Sequence, residues 1–464
     1  MRKKICWGLL IINYICMFVI PASDALSTAG IRTLCLTLSL LLFMIGELLP
    51  SITICLLHMV LFYFCKAAPS PPAAFSGFTN PVIFFLIAAF VISSAVTEIP
   101  LSKRILVMLL KLFGRSTKTI IFALMCSCAI ISAFVSNVPT CALFCTIGCT
   151  FLDVYDNEED KRRTGRPLCI CMILAANIGG LITMVGSTVT LTIISILEQQ
   201  TGFTITFVQW LAVGIPIAIV MLPLAWLIIC KVYKPVNVNE DMVKSYIEKV
   251  DKELPKKWNY QERLTVAVII IMLVLWVSSS WIKFLNWSAV GIAGAVILLL
   301  PKFGVIEIKK FLSTQMGWEA FFITGTVLTL SDLCGNNGVS AFLVNNVFPT
   351  ANYTLLSLLL VIGVFIFICQ FVVPNPGAIG SVFAIPLMTL GMANNVSPVA
   401  IAAAIAVFVA NLCCLFPMDP VQLMAYGKGY YKFGEQWKAT IGVIGVYLVG
   451  TVLWLSVIIP LLGL

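Results

Sequence analysis

The chain has 464 residues, a length that would ordinarily fill about three soluble domains, yet 60% of it is hydrophobic, 11% is charged and its mean hydropathy is +1.05. A soluble domain carries roughly 25% charged residues, so a water-soluble globule is excluded and the composition is that of a chain embedded in lipid. The formal net charge of +9 looks like a nucleic-acid signal until the basic residues are mapped along the chain.

The first apolar run, Ile5 to Ala22, follows Met-Arg-Lys-Lys and resembles a signal peptide. Because many apolar runs follow it, it reads as a retained first helix. A helix that crosses the hydrocarbon needs about 20 mainly apolar residues. Runs of that kind predict eleven spans, at 5–22, 31–48, 51–66, 80–99, 168–198, 207–233, 262–284, 287–301, 317–344, 396–427 and 438–460. Two further stretches, 117–150 and 352–392, are too long for one crossing, too short for two, and carry polar, proline-bearing centres. They read as re-entrant hairpins, whose non-helical tips survive at membrane depth only where buried in protein or lining a wet cavity. The segment Leu101 to Gly114 is basic and amphipathic and is expected to lie along the inner interface. The charged stretches 152–166 and 234–262 read as solvated cytoplasmic connectors.

With a cytoplasmic amino terminus and hairpins that return to the side they enter from, 26 of the 29 Lys and Arg residues fall inside and only Arg32, Lys66 and Lys283 fall outside. This bias orients the chain and places its carboxyl terminus outside. Seventeen cysteines stand mostly singly in apolar runs, as small buried hydrophobes do. Adjacent Cys413 and Cys414 lack metal-ligand spacing, and one histidine, His58, leaves no histidine zinc site or Ser/His relay. No catalytic acid–base pair, activated nucleophile or nucleotide loop is visible, so an enzyme is not expected.

Landmarks recur in one order in both halves. Phe78-Thr79-Asn80-Pro81 has a weak counterpart in Gly317-Trp318-Glu319, Ser136-Asn137-Val138-Pro139 in Pro374-Asn375-Pro376, Ala176-Asn177 in Ala410-Asn411, and Val208-Gln209-Trp210 in Glu435-Gln436-Trp437. The intervals are 40 and 36 residues between the asparagines, then 33 and 26 to the tryptophan. An odd number of crossings separates the halves, so the repeats are inverted, the architecture of secondary transporters whose sites lie at paired discontinuous segments. The expected divisions are an extra helix at 1–30, a first repeat at 31–233, a linker at 234–261 and a second repeat at 262–464. The fold class is an all-α polytopic membrane protein.

At the first tip Ser132, Ser136 and Asn137 offer neutral oxygens, the two serines four apart and so expected on one helix face. Gly179, Gly180 and Gly186 let carbonyls turn inward opposite them. Such oxygens suit a weakly held monovalent cation, and half-helix amino ends suit an anion. At the second tip Asn375 stands between two prolines, and the facing segment carries Asp419. A carboxylate at membrane depth is a functional candidate, as cation ligand, proton carrier or helix cap. Glu47, Glu98, Glu319 and Asp332 lie near span ends, where headgroup exposure accounts for them.

At these residues the chain resembles the divalent anion/sodium symporter family of sodium-coupled carboxylate and sulfate carriers, from about residue 28 to the end. The resemblance rests on Phe75 to Pro81, Glu47 with Pro50, Ser136-Asn137, Ile178-Gly179-Gly180 to Val185-Gly186-Ser187, and Tyr426-Gly427-Lys428-Gly429-Tyr430 with Lys432-Phe433. It implies eleven helices, two hairpins, a homodimer and elevator-type alternating access. It also implies a first sodium site of Ser132, Ser136, Asn137 and the Gly186 carbonyl, and a substrate surface of Asn137, Val138, Thr188, Asn375, Pro376 and Pro420. A second sodium site would use Asn375, Met418 and Asp419. Departures fall on the carboxylate-binding surface: Val138 and Pro376 replace family threonines, Pro374 a serine, Thr188-Val189-Thr190 a Pro-Pro-Asn, and Asp419-Pro420-Val421-Gln422 a Thr-Pro-Pro-Asn. The expected function is sodium-coupled uptake of a small anion, a di- or tricarboxylate, across the inner membrane. The alternative is a proton-coupled carrier or antiporter, for sulfate or another anion, using Asp419.

Overall fold

The computed structural model describes residues 2–282, 284–346, 353–372, 376–411 and 419–464, and among these it is helical throughout, without a β-sheet. Among the described residues each of the eleven apolar runs carries a helix or a pair of helices. The first are α1 (Arg2–Val19), α2 (Thr28–Gly46), α3 (Ser51–Phe64) and α4 (Pro81–Glu98). Asn80 starts α4 by accepting a hydrogen bond from the Val82 N–H at 2.9 Å, and Pro81 takes the first helical position, where its missing donor costs nothing. The amphipathic α5 (Leu101–Phe113) follows, then the arms α6 (Thr117–Ser132) and α7 (Asn137–Phe151) of the first hairpin. A broken pair, α8 (Glu158–Gly180) and α9 (Thr188–Thr201), leads into the 27-residue α10 (Phe207–Tyr233).

After α11 (Glu240–Lys252), α12 (Tyr260–Ser278) and α13 (Trp287–Leu299), the same order of elements returns. It comprises α14 (Trp318–Asn336), the short α15 (Val339–Asn346), the second hairpin α16 (Leu355–Val372) and α17 (Pro376–Ala393), the broken pair α18 (Pro398–Asn411) and α19 (Pro420–Tyr426), and α20 (Trp437–Leu461). Six helices among the described residues are long and apolar enough to cross a membrane by themselves, and six more are apolar at 10–17 residues. Exposed Ile, Leu, Val and Phe side chains crowd the outward faces of α1, α12 and α20, as lipid-facing surfaces require.

Three expectations change. The run at 317–344 is two helices rather than one span, because Gly338 adopts φ +74° and ends α14 in a left-handed conformation that glycine alone reaches without strain. The stretch 152–166 is no loose connector: α8 already begins at Glu158, with three acidic residues in its first turn where the helix dipole favours them.

The linker is likewise structured. Val243, Tyr246 and Val250 of α11 are buried, with Tyr246 stacked edge-on against Phe151 at 5.1 Å. Arg104 of α5 donates through Nε to Glu262 at 2.6 Å and through Nη2 to the carbonyls of Pro255 and Lys257, and its guanidinium lies 5.0 Å from the Trp258 ring. Glu262 is fully buried, so Arg104→Ala would strand a carboxylate away from water and is expected to cost on the order of 3 kcal/mol. A fall in the melting temperature of the purified protein checks this. The exposed pairs Lys103–Glu253 and Lys111–Asp251 are expected to matter far less.

Candidate transport site

The first hairpin turns because α6 stops at Ser132 and α7 restarts at Ser136–Asn137. Ser132 and Ser136 therefore do not share a helix face: one ends a helix and the other precedes the next. Opposite this tip the chain leaves the helix between Gly180 and Thr188, and the groups freed by the break find partners. The buried Trp210 indole N–H donates to the Leu181 carbonyl at 2.9 Å, and the Thr183 hydroxyl donates to the Ala133 carbonyl.

Ser132, Asn137 and Gly186 come together, with the Ala176 carbonyl as a fourth member. One terminal atom of the Asn137 amide lies 2.9 Å from Ser132 Oγ, 3.2 Å from the Ala176 carbonyl oxygen and 3.3 Å from that of Gly186. The single hydroxyl proton of Ser132 is well placed on the Ala176 oxygen, 2.7 Å away. That amide atom therefore faces acceptors. Oxygen and nitrogen of an amide are assigned from such surroundings, and two arrangements satisfy this one: an NH2 group donating to the three oxygens, or an oxygen turned inward around a cation. Neutral hydroxyl, amide and carbonyl oxygens are the donor set of a hard cation held without a carboxylate. The residues present thus fit a sodium ion at this point. Ser136 joins neither arrangement, since it makes no hydrogen bond to the cluster, although it lines the adjoining cavity.

Gly180 makes the cluster possible. A Cβ at this position would lie 2.2 Å from Asn137 Oδ1 and 3.0 Å from its Cγ, so any side chain would occupy the space of the amide.

Beside the cluster is a cavity of about 430 Å³. Asn137, Val138, Thr188, Pro376, Asp419 and Pro420 all line it, which brings together the substrate-surface and second-site residues expected from the sequence wherever they are described. Asn375 and Met418 lie outside the described residues, as do Pro374 and Cys413–Cys414. Asp419 is 7% exposed and caps α19, its Oδ2 accepting from the Val421 N–H at 3.1 Å.

Sequence reasoning missed the opposite wall. Phe90 of α4 and Glu319, Ala320, Ile323 and Thr324 of α14 face the hairpin tips across the cavity. Glu319 is exposed, as expected of a span end, and stands at the rim of this cavity. Asp332 is corrected: it is half-buried and accepts from the Ser76 hydroxyl at 2.7 Å. Polar bonds tie this wall to α9, with Thr192 and Thr324 hydroxyls 3.1 Å apart, Ser195 donating to Asn80 at 3.3 Å, and Gln200 donating to the Ser331 carbonyl at 2.9 Å. The spacing of Thr188, Thr192, Ser195 and Gln199-Gln200, one helix face, was the available signal.

Helix pairs from both halves meeting at one cavity, within a shell of apolar helices, define a polytopic membrane transporter and not an enzyme. The chain belongs to the sodium:sulfate symporter family, whose transmembrane-region model matches residues 3–461. It is 22% identical over 446 residues to the sodium-dependent dicarboxylate transporter SdcS of Staphylococcus saprophyticus, covering 90% of this chain and 84% of that one. It is 23% identical over 445 residues to SdcS of Staphylococcus aureus strain USA300, covering 89% and 82%. Among solved structures it is similar to the YdaH transporter of Alcanivorax borkumensis (TM-score 0.54, 13% identity, 83% of this chain and 86% of that one). It is also similar to MtrF of Neisseria gonorrhoeae (TM-score 0.57, 11% identity, 91% and 96%). At these identities the two structures bear on fold alone.

Proposed function

We propose that the protein carries a small carboxylate into the cell, driven by sodium. The observation that carries this reading is the cluster of Ser132 Oγ, the Asn137 amide and the Ala176 and Gly186 carbonyls, a neutral oxygen cage opening beside a cavity large enough for a small organic anion. A sodium ion in that cage attracts a carboxylate at its edge, while Asn137 and the first turn of α9 supply N–H donors. Binding of one then favours binding of the other, the coupling that a symporter needs. The staphylococcal relatives are sodium-dependent dicarboxylate transporters, which makes di- and tricarboxylates the first substrates to try. Asn137, Val138, Thr188, Asn375, Pro376 and Pro420 are assigned to the substrate surface, and Asn375, Met418 and Asp419 to a second cation position. The chain is read as a homodimer in the cell membrane with its amino terminus inside and its carboxyl terminus outside, the dimer resting on the family resemblance and the orientation on the 26 basic residues of one face.

The test is uptake of labelled succinate, citrate and sulfate into proteoliposomes. An inward sodium gradient is expected to drive accumulation of at least one carboxylate, and potassium is expected not to replace sodium. Failure of all three anions to respond to sodium would remove the proposal, and accumulation driven by a pH gradient alone would move the coupling to Asp419, the buried carboxylate in the cavity.

A further inference from the structure

The cavity is acidic, which a carrier of simple dianions does not need. Among the described residues its ionisable lining is Glu319 and Asp419, without lysine, arginine or histidine, and the segments 373–375 and 412–418 contain no basic residue. The two interrupted helices also meet it differently. At α9 the amino end is open: Ser187 holds the cap position without a side-chain cap bond, and Ser187, Thr188 and Val189 all line the cavity. Ser187 is only 7% exposed, and its hydroxyl, turned into the cavity, has no protein partner among the described residues. At α19 the amino end is closed by the Asp419 carboxylate. One helix end therefore presents free N–H groups and an unpartnered hydroxyl, and its repeat counterpart presents a negative charge. Glu319, exposed at the rim of the cavity, stands in the first turn of α14, where the helix dipole favours a carboxylate.

Resting on the sodium-coupled reading above, we propose that the cargo carries a cationic amino group beside its carboxylate: an amino-carboxylate, bound with its carboxylate at Asn137 and the open end of α9 and its ammonium at Asp419. Glu319 attracts that ammonium from the other wall. Charge supports the assignment. With one sodium ion in the neutral cage and the ammonium taking the second cation position at Asp419, aspartate leaves one negative charge uncompensated, whereas succinate with the same sodium ion leaves two, one of its carboxylates and Asp419.

The experiment is uptake of labelled aspartate and labelled succinate into proteoliposomes under the same inward sodium gradient. Aspartate is expected to be taken up at least tenfold faster than succinate at equal low concentration. Asp419→Asn is expected to cut aspartate uptake at least tenfold and to erase or reverse the preference, and Glu319→Gln to raise KM for aspartate more than it lowers the maximal rate. Sodium-driven succinate uptake without aspartate uptake, or an equal loss of both in Asp419→Asn, overturns the inference and leaves sodium coupling standing. Absence of sodium-driven flux of either compound overturns the inference, and the sodium-coupled reading falls with it only if citrate and sulfate also fail to respond. If Asp419→Asn does not insert, thermal stabilisation of the unmodified protein in sodium decides: greater stabilisation by aspartate supports the inference, and equal or greater stabilisation by succinate overturns it.

Discussion

Asn137→Ala is expected to abolish sodium-driven uptake while leaving the protein folded and inserted. The amide is the one side chain that belongs to both the oxygen cluster and the cavity lining, so its removal takes a ligand from the cation and a donor from the carboxylate together. Hydrogen bonds to charged groups are worth about 1.5–3 kcal/mol. Losing an interaction of that size on each partner predicts a fall in uptake at low substrate of at least about 100-fold. The fold is expected to persist because the hairpin is held by other contacts: Ser132 still donates to Ala176 at 2.7 Å, and Thr183 still reaches the Ala133 carbonyl. Uptake assays paired with size-exclusion profiles and melting curves separate the two effects. Activity that survives the substitution would put the site elsewhere.

Gly180→Ala is expected to be nearly as damaging, although alanine is a better helix former than glycine and the change would ordinarily pass unnoticed. The added methyl would lie 2.2 Å from Asn137 Oδ1, far inside contact distance, and the short amide side chain has no room to retreat between Ser132 and Asn177, whose oxygen is 3.4 Å from it. The amide turns away or the hairpin tip lifts from α8, and either movement opens the cage. The expected signature is a loss of sodium dependence: the sodium concentration for half-maximal uptake rises on the order of tenfold or more, since about 1.4 kcal/mol of lost cation binding is a factor of ten. A sodium titration of uptake checks it. An unchanged sodium curve would mean that the cluster is ordinary helix packing.

Much of this arrangement was legible in the sequence because lipid imposes simple rules. Span lengths, the one-sided placement of Lys and Arg, and polar, proline-bearing breaks in apolar runs all report on a solvent that rejects charge and unpaired backbone, and Ser132, Asn137, Gly186 and Asp419 stood out on that ground. What the sequence could not report was where rotation about a helix axis points a residue. Glu319 sits one residue into α14 and is exposed, as a span end should be, and only the packing of α14 against α9 and the residues before α4 puts it at the rim of the cavity. Ser132 and Ser136 kept the spacing of one helix face, but the helix ends between them. The Ala176 carbonyl could not be foreseen at all, because every residue has one. The linker misled for a related reason: its charges look solvated until Arg104 is seen closing on Glu262 at 2.6 Å.

The functional account depends on cation and cargo crossing together. The most direct measurement is simultaneous uptake of radiolabelled sodium and a labelled carboxylate, succinate and aspartate each in turn, into the same proteoliposomes with no other ion gradient. The account predicts that the transported carboxylate accelerates sodium entry in fixed proportion to its own, and that Asn137→Ala silences both fluxes. Carboxylate entry without accompanying sodium, or sodium entry indifferent to the carboxylate, would contradict it.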